Sequence, residues 1–124
     1  KALNNMLSAL SVFATTEALM IGKRFGLDPA VMIDTINKSS GRSNATELKF
    51  HQFILNKDYG SGFSNGLMLK DLTIAQDLAR STGLSAPCTA LVRDAFAEAV
   101  NHYGANSDHT EVARMLQEMR KTAI

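Results

Sequence analysis

One cysteine, two prolines, no tryptophan and a formal net charge of only +1 leave few specialised architectures open to this chain of 124 residues. Cys88 has no partner, so no intrachain disulfide can form and a small disulfide-stapled scaffold is excluded. A reducing, cytoplasmic setting is the expectation that goes with it. Thirteen basic residues stand against twelve acidic ones. That balance creates no field to gather a polyanion, so neither nucleic acid nor a membrane surface is expected as a partner. His51, His102 and His109 are scattered, without the close ligand spacing of a zinc site, and no metal is expected. No stretch reads as the roughly 20 apolar residues of a bilayer span, and no basic-then-apolar leader precedes the first helical pattern. Period-two alternation between turn residues is missing too, which leaves a β-sheet without candidate strands.

What is present is helical. Apolar residues make up 45% of the chain, enough for one core at a length typical of one domain, taken as residues 1–124. Ala2 to Ile21 has neither Gly nor Pro. Its apolar positions at Leu3, Met6, Leu7, Leu10, Phe13, Ala14, Ala18 and Ile21 follow helical spacing, and Ala9, Val12, Leu19 and Met20 widen the stripe. This predicts a long first helix buried among the others. Glu17 within it is expected to pair with a neighbouring helix, because a buried charge needs a partner. Asp28-Pro29 supplies a cap and a first residue already set to helical φ, predicting a second helix over Pro29–Asn37.

Asn44 and Glu47 have capping-box spacing and predict a third helix to about Asn56. Lys57–Gly66, rich in glycine, reads as the longest loop, the kind of segment that carries function. Leu67–Ser81 reads as an amphipathic helix closed by Gly83, with Leu67, Met68, Leu72 and Ile74 as core. Ser85 and Pro87 open another helix to His102. Asp108 and Glu111 suggest a second capping box before a helix ending near Lys121. The fold expected is an all-α, single bundle of about six helices.

Four stretches, Lys1-Ala2-Leu3-Asn4-Asn5, Glu17-Ala18, Ser39-Ser40-Gly41-Arg42-Ser43, and Phe63 followed by Leu67-Met68-Leu69-Lys70-Asp71-Leu72, resemble in order and spacing the β-hydroxyacid dehydrogenases of the 3-hydroxyisobutyrate dehydrogenase type. That family is related to 6-phosphogluconate dehydrogenase and joins a Rossmann domain to an all-helical C-terminal domain. The resemblance covers essentially the whole chain and implies the helical domain alone. No strand leads into a Gly-x-Gly-x-x-Gly turn, the device that seats a dinucleotide pyrophosphate. Lys1 already lies inside a helical pattern, so the expectation is a fragment, inactive by itself. The resemblance implies a cofactor, NAD or NADP, bound mainly by the missing Rossmann domain, a small β-hydroxy acid as substrate, and a homo-oligomeric parent.

The chemistry implied is specific. Oxidising a β-hydroxy acid removes a hydride from the carbinol carbon and a proton from its oxygen. A lysine takes that proton only in its neutral form, which its ordinary value of about 10.4 disfavours at neutral pH. The resemblance makes Lys1 this general acid/base. Asn5, one turn along the same helical face, becomes the residue that orients the substrate. It makes Phe63 a pocket wall, Lys70 a contact to the cofactor and Asp71 a substrate residue in the same cleft. Asn4, about 100° around the helix, is expected to bond backbone. Spacing alone reads these residues as solvated positions, which leaves a second possibility: a non-enzymatic helical oligomerisation or interaction module.

Overall fold

The computed structural model describes residues 1–124 as six α-helices and one short π-helical segment, with no strand. α1 (Ala2–Phe25) contacts all five other helices; α4 (Asn65–Ser81) and α5 (Pro87–Tyr103) form the most extensive pair, and α6 (Glu111–Met119) closes one side. α2 (Pro29–Ile36) and α3 (Asn44–Leu48) lie between α1 and the π-helical segment Phe50–Ile54.

α1 runs four residues past the expected Ile21. Gly22 does not break it; the glycine is buried, and the end of the Met32 side chain on α2 packs where its Cβ would be. The stop comes at Gly26, whose φ of 104° is open to glycine, while Leu27 N–H donates back to Gly22 O at 2.9 Å. Val12 and Leu19 are fully buried and Phe13 and Met20 nearly so, whereas Leu7, Ile21 and Phe25 are 58%, 67% and 85% exposed. The expectation of a helix buried on all sides is therefore corrected, since the apolar stripe continues onto an open face. Glu17 lies on that face and enters no ion pair. A second correction concerns length: α1, with 24 residues, is long and apolar enough to cross a bilayer by length and composition. Here its inward face serves as the central core helix.

Asp28 caps α2 as predicted, its carboxylate accepting from Ala30 N–H at 2.8 Å and Val31 N–H at 3.3 Å. The cap of α3 is displaced by one residue from the expectation. Ser43, not Asn44, is extended at φ −148°, and its hydroxyl accepts from Thr46 N–H while Thr46 Oγ1 accepts from Ser43 N–H at 2.8 Å. The helix expected to reach Asn56 ends at Leu48. Beyond it the Lys49 carbonyl accepts from both Phe53 N–H (3.0 Å) and Ile54 N–H (3.2 Å), the local widening that turns an α-helix into a π-helix.

Two connecting segments zip together above the core. Asn65 N–H donates to Ser107 O (2.7 Å), Gly66 N–H to Ala105 O (2.9 Å) and His109 N–H to Phe63 O (2.8 Å). Asp108 does not share a capping box with Glu111, which instead pairs with Arg114. Its carboxylate gathers Ser61 Oγ–H, Gly62 N–H and Thr110 N–H within 3.1 Å, tying the long loop to the start of α6. The loop ends two residues early, with Ser64 capping α4 through Leu67 N–H. Ser85 does not cap α5, which begins after Ala86, and α6 ends at Met119.

Phe50, Ile54, Leu72, Val92, Phe96 and Val112 are fully buried. Each such side chain contributes about 1.5–3 kcal/mol over its exposed state. Of the four α4 residues expected in the core, Met68 and Leu72 are there; Leu67 and Ile74 are 47% and 48% exposed, because α4 turns its outer stripe to solvent.

Candidate functional site

The first turn of α1 and the N-terminal half of α4 converge. Lys1 precedes α1 with its side chain exposed, and its carbonyl accepts Asn5 N–H at 2.9 Å, so the two side chains share one helical face. Asn5 is half-buried. Its Nδ2 donates to Asp71 Oδ2 on α4 at 2.6 Å. Asp71 is only 3% exposed and enters no ion pair. A carboxylate can only accept, so Asp71 decides which end of the Asn5 amide faces α4 and turns the Asn5 carbonyl oxygen the other way. Asn4 departs from expectation: it donates to Asn5 Oδ1 at 3.3 Å rather than to backbone.

Asn5 opens into a cleft of about 310 Å³ lined by Ser8, Lys49, Phe63, Met68 and His109 among others. Phe63 is thus a wall, and its ring stands edge-on to His109 with centroids 5.7 Å apart and planes at 84°. Lys70, next to Asp71, points outward, exposed and without an ion pair, and does not line this cleft. A larger depression of about 600 Å³, lined by Lys57, Tyr59, Arg114 and the C-terminal residues, contains none of the residues singled out from sequence. No three His, Cys, Asp or Glu side chains come together as a metal site.

Ser8, Lys49 and His109 of the cleft were missed by sequence reasoning. Lys49 donates its ammonium to Ser8 Oγ at 2.9 Å and to His109 Nε2 at 3.0 Å. His109 is 2% exposed, with Nδ1 3.1 Å from Phe63 O. A carbonyl can only accept, so Nδ1 carries the proton and Nε2 is left as an acceptor for the lysine. Burial first, and then the Lys49 charge, push the His109 pKa down to about 4, which keeps the ring neutral. Burial also lowers the Lys49 pKa, against an opposing pull from Asp108. Burial alone would raise the Asp108 carboxyl, but hydrogen bonds from Thr110, Ser61 and Gly62 outweigh it and hold the pKa below the usual range. Ser8 could have been found from the sequence, because Lys1, Asn5 and Ser8 are polar positions i, i+4 and i+7 on one face of α1. Lys49 and His109 are 60 residues apart, and only the loop zipper joins them.

Residues 1–116 match a family model described as NAD-binding of NADP-dependent 3-hydroxyisobutyrate dehydrogenase. The chain is 38% identical over 96 residues to the 2-(hydroxymethyl)glutarate dehydrogenase of Eubacterium barkeri, covering 77% of this chain and 32% of that protein. It is 36% identical over 115 residues to a 3-hydroxyisobutyrate dehydrogenase of Pseudomonas aeruginosa, covering 88% of this chain and 38% of that one. Mycobacterium tuberculosis 3-hydroxyisobutyrate dehydrogenase, solved with L-serine, superposes with a TM-score of 0.80 at 28% identity, over 94% of this chain and 42% of its own. Psf3, solved with NADP+ and 2-OPP, gives 0.78 at 27% identity, over 94% and 40%. The chain thus spans about two-fifths or less of the relatives it matches. On the family model, the relatives and the shared all-helical fold, the chain belongs to the 3-hydroxyisobutyrate dehydrogenase-like family of β-hydroxyacid dehydrogenases.

Proposed function

We propose that the chain is the helical half of an NAD(P)-dependent oxidoreductase that moves a hydride between a nicotinamide ring and a small β-hydroxy acid, the other half being a Rossmann domain. The observation that carries this reading is the 2.6 Å hydrogen bond from Asn5 to Asp71. It holds an amide in one orientation at the mouth of a cleft, one helical turn from Lys1. In this reading Lys1 takes the hydroxyl proton during oxidation and returns it during reduction. Asn5 holds the substrate against it through the amide atoms that Asp71 leaves free, and Asp71 acts from behind, through Asn5. Phe63 and Met68 supply an apolar wall that excludes water from one side of the substrate.

The residues present fit one end of a dinucleotide and not the whole of it. Lys70 offers an unpaired, exposed cation beside Asp71, suited to an anionic or polar part of the cofactor. Without any strand, the chain has no strand-turn-helix cradle for a pyrophosphate. The cofactor, when bound, supplies the hydride acceptor or donor; this chain's share is the proton and the substrate's orientation.

The open apolar face of α1, with Leu7, Ile21 and Phe25 exposed, belongs to the same reading as a surface for subunit contacts. The test is nicotinamide absorbance with a panel of small β-hydroxy acids, using a polypeptide that joins this chain to its nucleotide-binding domain. Turnover with any of them supports the reading, and its absence across the panel favours a non-enzymatic helical module.

A further inference from the structure

Lys49 is a half-buried cation with no anion of its own. An ammonium has three N–H donors, and here two of them meet neutral acceptors, Ser8 Oγ and the unprotonated His109 Nε2. No carboxylate comes within ion-pair distance of it. Asp108, the acid whose field reaches it, is already engaged by Ser61, Gly62 and Thr110. The backbone holds the charge in place, since Lys49 N–H donates to Ala45 O at 2.9 Å and its carbonyl anchors the first turn of the π-helical segment. The ammonium therefore stands at the wall of the cleft that Asn5 also lines, its third donor unclaimed by protein.

We propose that Lys49 receives a second anionic group of the substrate, a carboxylate remote from the carbinol that Asn5 and Lys1 address, so that the cleft selects hydroxy dicarboxylic acids over monocarboxylic ones. The inference rests on the proposed function for what else the substrate carries, but the anion site itself does not. A neutral His109 is what this role needs. It orients the ammonium without cancelling its charge, so the full attraction is left for the ligand. Burial that costs the lone cation stability is relieved once a carboxylate sits against it. The cleft of about 310 Å³ is large enough for a five-carbon diacid, and Phe63 and Met68 give it apolar lining beside Asn5 and Lys49.

The probe is glutarate, with its uncharged counterpart glutaramide as the control, titrated into the 124-residue chain and followed by NMR at the Lys49 ε-methylene and the Asn5 and Ser8 amides. Glutarate is expected to shift these signals saturably and glutaramide to bind at least about tenfold more weakly, as for a charge-assisted hydrogen bond. Lys49→Met keeps the apolar stem and should abolish the response, and Lys49→Arg should retain part of it; if the Met variant loses its dispersed spectrum, Lys49→Gln takes its place. A response that is absent, equal for the amide, or retained without the cation overturns the proposal. In the polypeptide that turns over, Lys49→Met should lower the ratio of kcat/KM for a hydroxy dicarboxylic over a hydroxy monocarboxylic acid by about tenfold, and an unchanged ratio overturns it equally. The titration needs neither cofactor nor turnover. A failed titration beside an active enzyme defeats the anion site alone, and a successful one beside an inactive enzyme defeats the dehydrogenase reading alone.

Discussion

Asn5 on α1 and Asp71 on α4 stand 66 residues apart in the chain and 2.6 Å apart in the fold. The bond couples the packing of the central helix to the orientation of a single amide. Because the carboxylate accepts and cannot donate, the pair has one arrangement, and the atoms of Asn5 turned toward the cleft are fixed by a residue that is itself buried.

On the proposed function, Asp71→Ala slows turnover of a polypeptide joining this chain to a nucleotide-binding domain by roughly 10- to 100-fold, the cost of a lost hydrogen bond to a charged group. Asp71→Asn keeps the shape but can donate as well as accept, so the amide of Asn5 is free to flip and an intermediate loss is expected. Initial rates alongside circular dichroism check both. Rates equal to wild type in Asp71→Ala would show that Asn5 needs no support.

His109 gives a pH dependence of stability with a definite sign. Its folded-state pKa of about 4 lies below the ordinary 6.5, so between those values the unfolded chain binds a proton that the folded chain refuses. Stability is complete above about 6.5 and is lost as pH falls toward 4, by on the order of 3 kcal/mol. Asp108, whose folded pKa is also depressed, adds a loss in a lower window, below its ordinary value of 3.8. Urea unfolding at a series of pH values measures the slope. His109→Gln should flatten it between pH 6.5 and 4 while leaving the acid limb in place.

The one-residue shift of the α3 cap is open to direct measurement. Ser43→Ala removes the hydroxyl that accepts Thr46 N–H and should cost about 1 kcal/mol, whereas Asn44→Ala, already inside the helix, should cost little. Equal losses would return the cap to Asn44.

Leu72→Ala, at a fully buried position of α4, the helix that packs on α1 and α5, should cost about 2–5 kcal/mol, and Ile74→Ala, half-exposed on the same helix, well under half of that. Thermal unfolding of the two variants tests which stripe of α4 faces the core.

These cases show where sequence was sufficient. Helical period and the absence of alternating strands gave the all-α bundle, and Asp28-Pro29 marked its helix start to the residue, because those signals are local. Ser43 and Asn44 are both residue types that cap helices; Ser43 takes the position through Thr46, a partner outside the Glu/Gln pattern read from the sequence. Tertiary packing decides for Leu67 and Ile74, apolar at helical spacing yet turned outward, and for Glu17, which lies on the face that the stripe leaves open. Lys1, Asn5, Lys70 and Asp71 entered through motif resemblance. Lys49 and His109 carry no local mark at all, since their contact depends on the π-helical turn at one end and the zipper between Phe63 and His109 at the other.

In the proposed mechanism Lys1 moves the substrate proton. Initial rates of nicotinamide reduction in a polypeptide joining this chain to the proposed nucleotide-binding domain, with Lys1→Ala compared against wild type, measure that role. A fall of about 10²- to 10⁴-fold with an unaltered circular dichroism spectrum is the predicted result. A rate that survives Lys1→Ala places the proton transfer on another residue.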